Sequence, residues 1–216
     1  MERKAFNVSL DKNPNIVMQV IPGHFTTSNA HITHYLDVSG LKSNAQVARD
    51  VAKELAIPYV SSNLVETIVC MERTEVIGAY LAEELMQGGV SAINGGVEIH
   101  VITPISNIIG HLSFHNSMVR QITNKNILLL TASVSSGRSI DSAVDCITYY
   151  GGKIAGISAL FSIPFDSIEK QEQKINALFT SDDIPGYKVY SSRKCEICRA
   201  GQRLDALISS EGYTKI

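Results

Sequence analysis

The stretch "TASVSSGRS", Thr131 to Ser139, gathers groups that can hold a phosphate. Ser135, Ser136 and Ser139 offer hydroxyls, and Gly137 lets the backbone come close to a ligand. An apolar run, "NILLL", enters the stretch and an amphipathic run leaves it, so it reads as a strand-to-helix turn. Backbone amides at a helix start, together with the helix dipole, form a ready anion site. Arg138 can add a charge-assisted hydrogen bond. The plainer alternative is an ordinary turn with a serine cap. No acidic residue occurs between Asn126 and Asp141, which is unusual for a loop that would handle a phosphorylated sugar.

Three other groupings could do chemistry. His111 and His115 stand four apart, the spacing of a metal pair on a helix, but Pro, Gly and Asn surround them and they read as solvent histidines. Arg120 and Lys125 are the basic residues of the same region. Cys195 and Cys198 form a Cys-x-x-Cys pair, half of a closed zinc site. Cys70 falls in a strand and Cys146 in a sheet-facing helix, so neither is an obvious third ligand. A zinc ion at Cys195 and Cys198 is therefore not the expectation; two reduced cysteines in a packed tail are, with zinc shared between subunits as the alternative.

The elements that must position these residues follow from periodicity. "SNAQVARDVAKELAIP" places Ser43 and Gln46 at capping-box spacing and sets Val47, Val51 and Leu55 on one stripe, ended by Pro58. "ETIVCM" is a short strand, Thr74 to Met86 a helix that stops at Gly88-Gly89, and "VEIHVITP" the next strand. The polar stretch Pro104 to Asn124 is too long for an ordinary connection and reads as a functional loop. "NILLLTA" is apolar on consecutive residues, as a doubly buried strand should be. Helix Ser139 to Tyr150 buries Ile140, Val144 and Ile147. "KIAGISALFS" is another buried strand, and a charged helix is expected around Ser167 to Phe179. Alternation of strand and helix predicts an α/β fold with a parallel sheet, where ligands bind beyond the carboxyl ends of the strands.

Totals set the bounds. A chain of 216 residues, 44% hydrophobic and 19% charged, suits one α/β domain with a small appendage. A formal net charge of −2 gives no footprint for nucleic acid or an anionic membrane. No apolar run approaches the roughly 18 to 20 residues of a membrane span, and the polar start is not a signal peptide, so the cytoplasm is the default expectation. Four cysteines do not suggest a secreted disulfide framework.

In order along the chain, "HFTTSNAHITHYLDVSGLKSNAQVARDVAKEL", "ETIVCMERTEVIGAYLAEEL", "NILLLTASVSSGRS", "YYGGKIAGISALFS" and "KCEICRAGQRL" resemble segments of the type I phosphoribosyltransferases, most closely the orotate phosphoribosyltransferases. The resemblance implies a parallel-sheet core at 37–190, an N-terminal hood at 1–36 and a Cys-x-x-Cys tail at 191–216. It implies a homodimer and a small-molecule phosphoribosyl ligand, without nucleic acid or membrane. It puts Ser135, Ser136, Gly137, Arg138 and Ser139 on the cradle for the ribose 5′-phosphate of phosphoribosyl diphosphate (PRPP). The two acidic positions that hold the ribose hydroxyls and help place Mg²⁺ fall on Thr131 and Ala132. Losing two carboxylates costs a few kcal/mol, on the order of a hundredfold in affinity or rate. The diphosphate loop corresponds to "CMERTEVIG", where Glu72 and Glu75 would repel diphosphate unless a metal intervenes; for Glu75 the favoured reading is instead an ordinary first-turn helix acid. The mobile catalytic loop retains only Arg120 and Lys125 as basic candidates, with no Arg-Lys cluster.

Two main readings follow. One is an enzyme of pyrimidine nucleotide metabolism that transfers phosphoribosyl from PRPP to orotate or a related base, with Mg²⁺ assisting the departing diphosphate. The other is a non-catalytic module that senses PRPP or a nucleotide on the same fold. A third, a supporting subunit for a related enzyme, has no residue speaking for it.

Overall fold

The computed structural model describes residues 4–28, 30–87, 93–107, 111–135, 137–164, 174–209 and 212–216. In chain order the elements are β1 (Phe6–Leu10), β2 (Asn13–Thr26), β3 (His31–Asp37), α1 (Ser39–Ser43), α2 (Ala45–Ala56), β4 (Thr67–Cys70), α3 (Glu75–Gln87) and β5 (His100–Ile102). Next come β6 (Ile105–Ser106), β7 (Leu112–Ser113), β8 (Asn126–Val134), α4 (Arg138–Tyr149), β9 (Lys153–Ser162) and β10 (Ile175–Thr180). The chain closes with β11 (Val189–Tyr190), α5 (Glu196–Arg199), β12 (Ala206–Ser209) and β13 (Gly212–Lys215).

The expected parallel sheet is present. Its order is β10-β9-β8-β4-β5, and every neighbouring pair is parallel. In β8 the residues from Ile127 to Ala132 are all buried, because alternate side chains feed two different cores. Leu128, Leu130 and Ala132 pack on the side of α2 and α3, while Ile127, Leu129 and Val134 pack on the side of α4. Each fully buried aliphatic side chain contributes roughly 1.5–3 kcal/mol, so this doubly covered strand is a rigid axis for whatever follows its carboxyl end. Helix α3 lies close against β4: a Cβ on Gly78 would come within 2.5 Å of Cys70 Sγ.

A second, antiparallel-dominated sheet covers one end of the core. Its order is β11-β3-β2-β12-β13, with β1 on β2. Ile16, Met18 and Val20 of β2 are fully buried in the main core, so this hood is packed on the α/β unit. The tail does not stand apart: β12 pairs in parallel with β2 at Phe25 and Thr26, and β13 extends it. Hood and tail are therefore one sheet in space, although about 150 residues of core separate them in sequence.

Three local expectations are corrected. The cap of α2 is Asn44, whose side chain accepts from Gln46 N and Val47 N at 3.0 and 3.3 Å; Ser43 instead ends α1, its hydroxyl donating to Ser39 O. Ile175–Thr180, placed in a charged helix, is the edge strand β10, aligned with Ile157–Ser162 of β9. The charged residues that suggested that helix lie mostly outside the described residues, and the mostly apolar hexamer that follows, INALFT, fits a sheet edge. The polar stretch Pro104–Asn124 contains a two-stranded ribbon, β6 with β7, and a 3₁₀ turn at Asn116–Gln121. The Gly88-Gly89 stop lies outside the described residues.

Candidate functional site

A cavity of about 220 Å³ lies where the hood meets the carboxyl end of the parallel sheet. Several parts of the chain line it, among them Glu72 after β4, Phe161 of β9 and Tyr187. Tyr35, Ser39 and Lys42 come from the hood and α1; Ser133, Ser135, Gly137 and Ser139 come from the end of β8 and the start of α4; Ile208, Ser209 and Gly212 come from the tail.

Gly137 is the cap of α4 in the left-handed region, at φ 76°, where a side chain is strained. Its carbonyl accepts from Asp141 N at 2.9 Å, which starts the helix. Having no side chain, Gly137 leaves the first-turn amides for a ligand, as an anion site requires. Ser135 and Ser139 line the same cavity, Ser136 lies outside the described residues, and Arg138 is exposed and is not part of the lining.

The positions that lack carboxylates receive one from another strand. Glu72 follows β4, and one of its oxygens, Oε2, accepts three hydrogen bonds at the end of β8: from Thr131 Oγ1 at 3.0 Å, Ala132 N at 3.1 Å and Ser133 N at 3.0 Å. Glu72 and Arg73 both have left-handed backbones, at φ 54° and 62°. Two successive non-glycine residues in that region cost on the order of 1–3 kcal/mol each, a strain that clusters at functional sites. The kink turns the Glu72 side chain back over β8. Thr74 anchors its far side, its hydroxyl donating to Met71 O at 2.8 Å.

Lys42 supplies the positive charge. Its Nζ donates to the Glu72 carbonyl oxygen at 2.9 Å. Burial pushes the Lys42 ammonium below the usual lysine value, and the neighbouring Glu72 charge opposes that fall. Glu75 behaves as a first-turn acid of α3 and accepts from Thr103 Oγ1 at 2.9 Å.

The remaining candidates are not brought to the cavity. Lys125 Nζ pairs with Glu66 Oε1 at 2.8 Å at the amino end of β8, the far end of a nine-residue strand, and the pair holds Glu66 below the ordinary carboxylate value. Arg120 is exposed in the turn just before it. His111 and His115 are both exposed and belong to no group of metal-ligating side chains among the described residues. Sequence reasoning missed Lys42 and the hood residues altogether, because nothing in their local pattern separates them from an ordinary helix start. Glu72 was visible as an acid near the loop, but not as the partner of Thr131.

No family model and no curated protein matches the chain. Solved structures do. The chain is similar to an adenine phosphoribosyltransferase from Thermoanaerobacter pseudethanolicus, with 14% identity, 83% of this chain and 96% of that one covered, and a TM-score of 0.51. It is similar to the orotate phosphoribosyltransferase of Mycobacterium tuberculosis H37Rv in complex with inorganic phosphate, at 14% identity, 76% and 89% coverage and a TM-score of 0.50. A third is the UMP synthase of Leishmania donovani, at 17% identity and a TM-score of 0.55, where 74% of this chain covers 33% of that one.

The chain has the type I phosphoribosyltransferase fold. Within this phosphoribosyltransferase fold, the cavity lies at the carboxyl end of the central strand, where open α/β sheets bind ligands. Thr131 and Ala132, which the sequence resemblance puts at the acidic pair, are 2% and 4% exposed and face the Glu72 carboxylate. No helix among the described residues is long and apolar enough to cross a membrane.

Proposed function

We propose that the cavity binds a small molecule carrying a ribose 5′-phosphate, either PRPP or a nucleoside monophosphate. The observation that carries this reading is the uncapped start of α4 at Gly137, which opens with Ser135 and Ser139 into the same cavity as the Glu72 carboxylate. A phosphate at the helix start would place its ribose toward Glu72 and Thr131, and its base toward Tyr35 and Tyr187 under the hood. Carboxylate-to-hydroxyl hydrogen bonds are among the stronger ones, about 1.5–3 kcal/mol each, so Glu72 offsets part of what Ala132 lacks.

With PRPP and a base bound, the reaction is phosphoribosyl transfer to orotate or a related base, with inversion at the anomeric carbon. This chain's residues would hold the phosphate, align the base and keep water out; Lys42 is the cation beside the departing diphosphate. Mg²⁺ fits the site only in part. Glu72 is the one carboxylate lining the cavity among the described residues, and Mg²⁺ would take most of its ligands from the diphosphate and water. When bound, it would neutralise charge on the leaving group.

The second reading is a sensor without turnover. It is favoured by the engagement of Glu72 Oε2 with three protein donors, which leaves a single carboxylate oxygen for ribose or metal. A homodimer and a cytoplasmic location belong to both readings as proposals. Arg120, exposed at the amino end of the sheet, could serve a partner's cavity only within such a dimer.

Titration calorimetry with PRPP and with orotidine monophosphate, each with and without Mg²⁺, tests both readings. Mg²⁺-dependent micromolar binding of PRPP together with orotate turnover supports the enzyme. Mg²⁺-independent binding of the monophosphate without turnover supports the sensor. Absence of binding by either ligand at millimolar concentration removes the phosphate assignment itself.

A further inference from the structure

Outside the cavity lining, four metal-ligating side chains converge from three segments of the chain. His24 lies in β2, His31 begins β3, Cys195 is the N-cap residue of the single turn α5 and Cys198 lies within that turn. Their ligand atoms all lie within 4.8 Å of one another. His24 Nε2 is 3.2 Å from His31 Nδ1, 3.4 Å from Cys195 Sγ and 3.6 Å from Cys198 Sγ, and His31 Nδ1 is 3.4 Å from Cys198 Sγ.

From these positions we infer that His24, His31, Cys195 and Cys198 form a structural zinc site that clamps the C-terminal tail to the hood. A tetrahedral ion with bonds of about 2.0–2.1 Å to nitrogen and 2.3 Å to sulfur requires ligand-to-ligand edges of roughly 3.3 to 3.8 Å. The four distances cluster around that range, with the nitrogen pair shortest, as the shorter zinc–nitrogen bonds demand. Two thiolates and two imidazoles are the donor set that selects zinc over Mg²⁺ or Ca²⁺.

The surrounding structure supports the same assignment. His24 Nδ1 is 3.2 Å from both Gln202 O and Arg203 O, so the Nδ1 proton points at carbonyl acceptors and Nε2 presents a lone pair to the cluster. His24 is completely buried, Cys195 is 1% exposed and His31 is 8% exposed. Cys198 is exposed, which gives an ion a way in. Both cysteines are free thiols, three residues apart on one helical turn, so their sulfurs fall on the same side. The backbone is shaped for the approach. The register of β2 against β3 shifts between Pro22 and Phe25, which carries His24 inward, and Asp205 locks the bulge by accepting from His24 N at 2.7 Å.

The consequence reaches the cavity. The tail segment held by the clamp carries Ile208, Ser209 and Gly212 into the cavity wall. Zinc would thus close a loop of about 170 residues and fix one wall of the ligand site without touching a ligand.

Metal analysis of the full-length protein, purified under reducing conditions without added metal, reads the proposal directly. One zinc per chain is expected, and Cys198→Ala should lower the content by at least about tenfold. In the wild-type chain, Cys195 and Cys198 should resist alkylation until a chelator is added, and Co²⁺ replacing zinc should give the visible bands of a tetrahedral thiolate site. These two readings do not depend on how the variant folds. A chain that purifies without zinc and takes up none, zinc that Cys198→Ala leaves in place, iron in place of zinc, or a Cys195–Cys198 disulfide under those conditions overturns it. Binding of PRPP or a monophosphate has no part in this test, so either assignment can fail while the other stands.

Discussion

Ala132 lacks the carboxylate that the resemblance leads one to expect there, and Glu72 supplies one from the neighbouring strand through two left-handed residues. Glu72→Ala would leave Ala132 N and Ser133 N without their acceptor and should destabilise the chain by about 1–3 kcal/mol in urea unfolding. Glu72→Gln keeps an acceptor oxygen and should recover most of that stability, while weakening any ligand that needs the charge. Equal stability of Glu72→Ala and wild type would show that those three hydrogen bonds hold nothing. At Gly137 the expectation separates stability from binding. Gly137→Ala forces an L side chain to φ 76° and should cost about 1 kcal/mol, yet lower phosphate-ligand affinity by tenfold or more, since it reshapes the amides of the anion site. Calorimetry on a variant shown to be folded checks it. The Ser/Gly loop was legible because its chemistry is contiguous. Glu72's role was not, because 60 residues separate it from Ala132 in sequence and only the pairing of β4 with β8 makes them neighbours.

At the scale of elements, β3 carries a pH dependence. His34 is buried between the Phe6 and Tyr187 rings, and burial lowers its affinity for a proton from the ordinary value of 6.5. The unfolded chain therefore binds that proton more tightly than the folded one. The stability is fully present above about pH 6.5, falls as pH drops through that value, and levels off below the folded-state value. Urea unfolding at pH 7.5 and 5.5 should show the loss, and His34→Gln should flatten it; an unchanged slope in that variant would assign the effect elsewhere. The packing of α3 on β4 makes a second expectation. Gly78→Val would push carbon into Cys70 Sγ and should destabilise by about 1–3 kcal/mol, measured by thermal unfolding. The core elements were readable from periodicity: β8 from its consecutive apolar residues, α2 and α4 from their stripes. β10 was misread because a charged run precedes the mostly apolar hexamer INALFT, and short apolar runs do not by themselves distinguish strand from helix.

For the whole molecule, the hood and tail act as one sheet, so removing zinc should loosen them together. Hydrogen exchange on chelated protein should accelerate in β2, β12 and β13 while β8 and β9 stay protected. Uniform acceleration would mean that the clamp supports the entire fold and not the hood alone. A saturating phosphoribosyl ligand should raise the unfolding free energy by about 2.7 kcal/mol at a hundred times its Kd, because it binds only the assembled cavity. By itself the sequence determined the parallel α/β core, the strand-to-helix phosphate loop and the absence of its acids, since each is written in local periodicity or in contiguous residues. Only the tertiary structure decided which carboxylate stands beside Thr131, that the tail completes the hood, and that His24 and His31 meet Cys195 and Cys198. Those contacts join residues from 59 to 181 positions apart, and separations of that size are set by sheet order and by a bulge in β2, neither of which leaves a periodic trace in the chain.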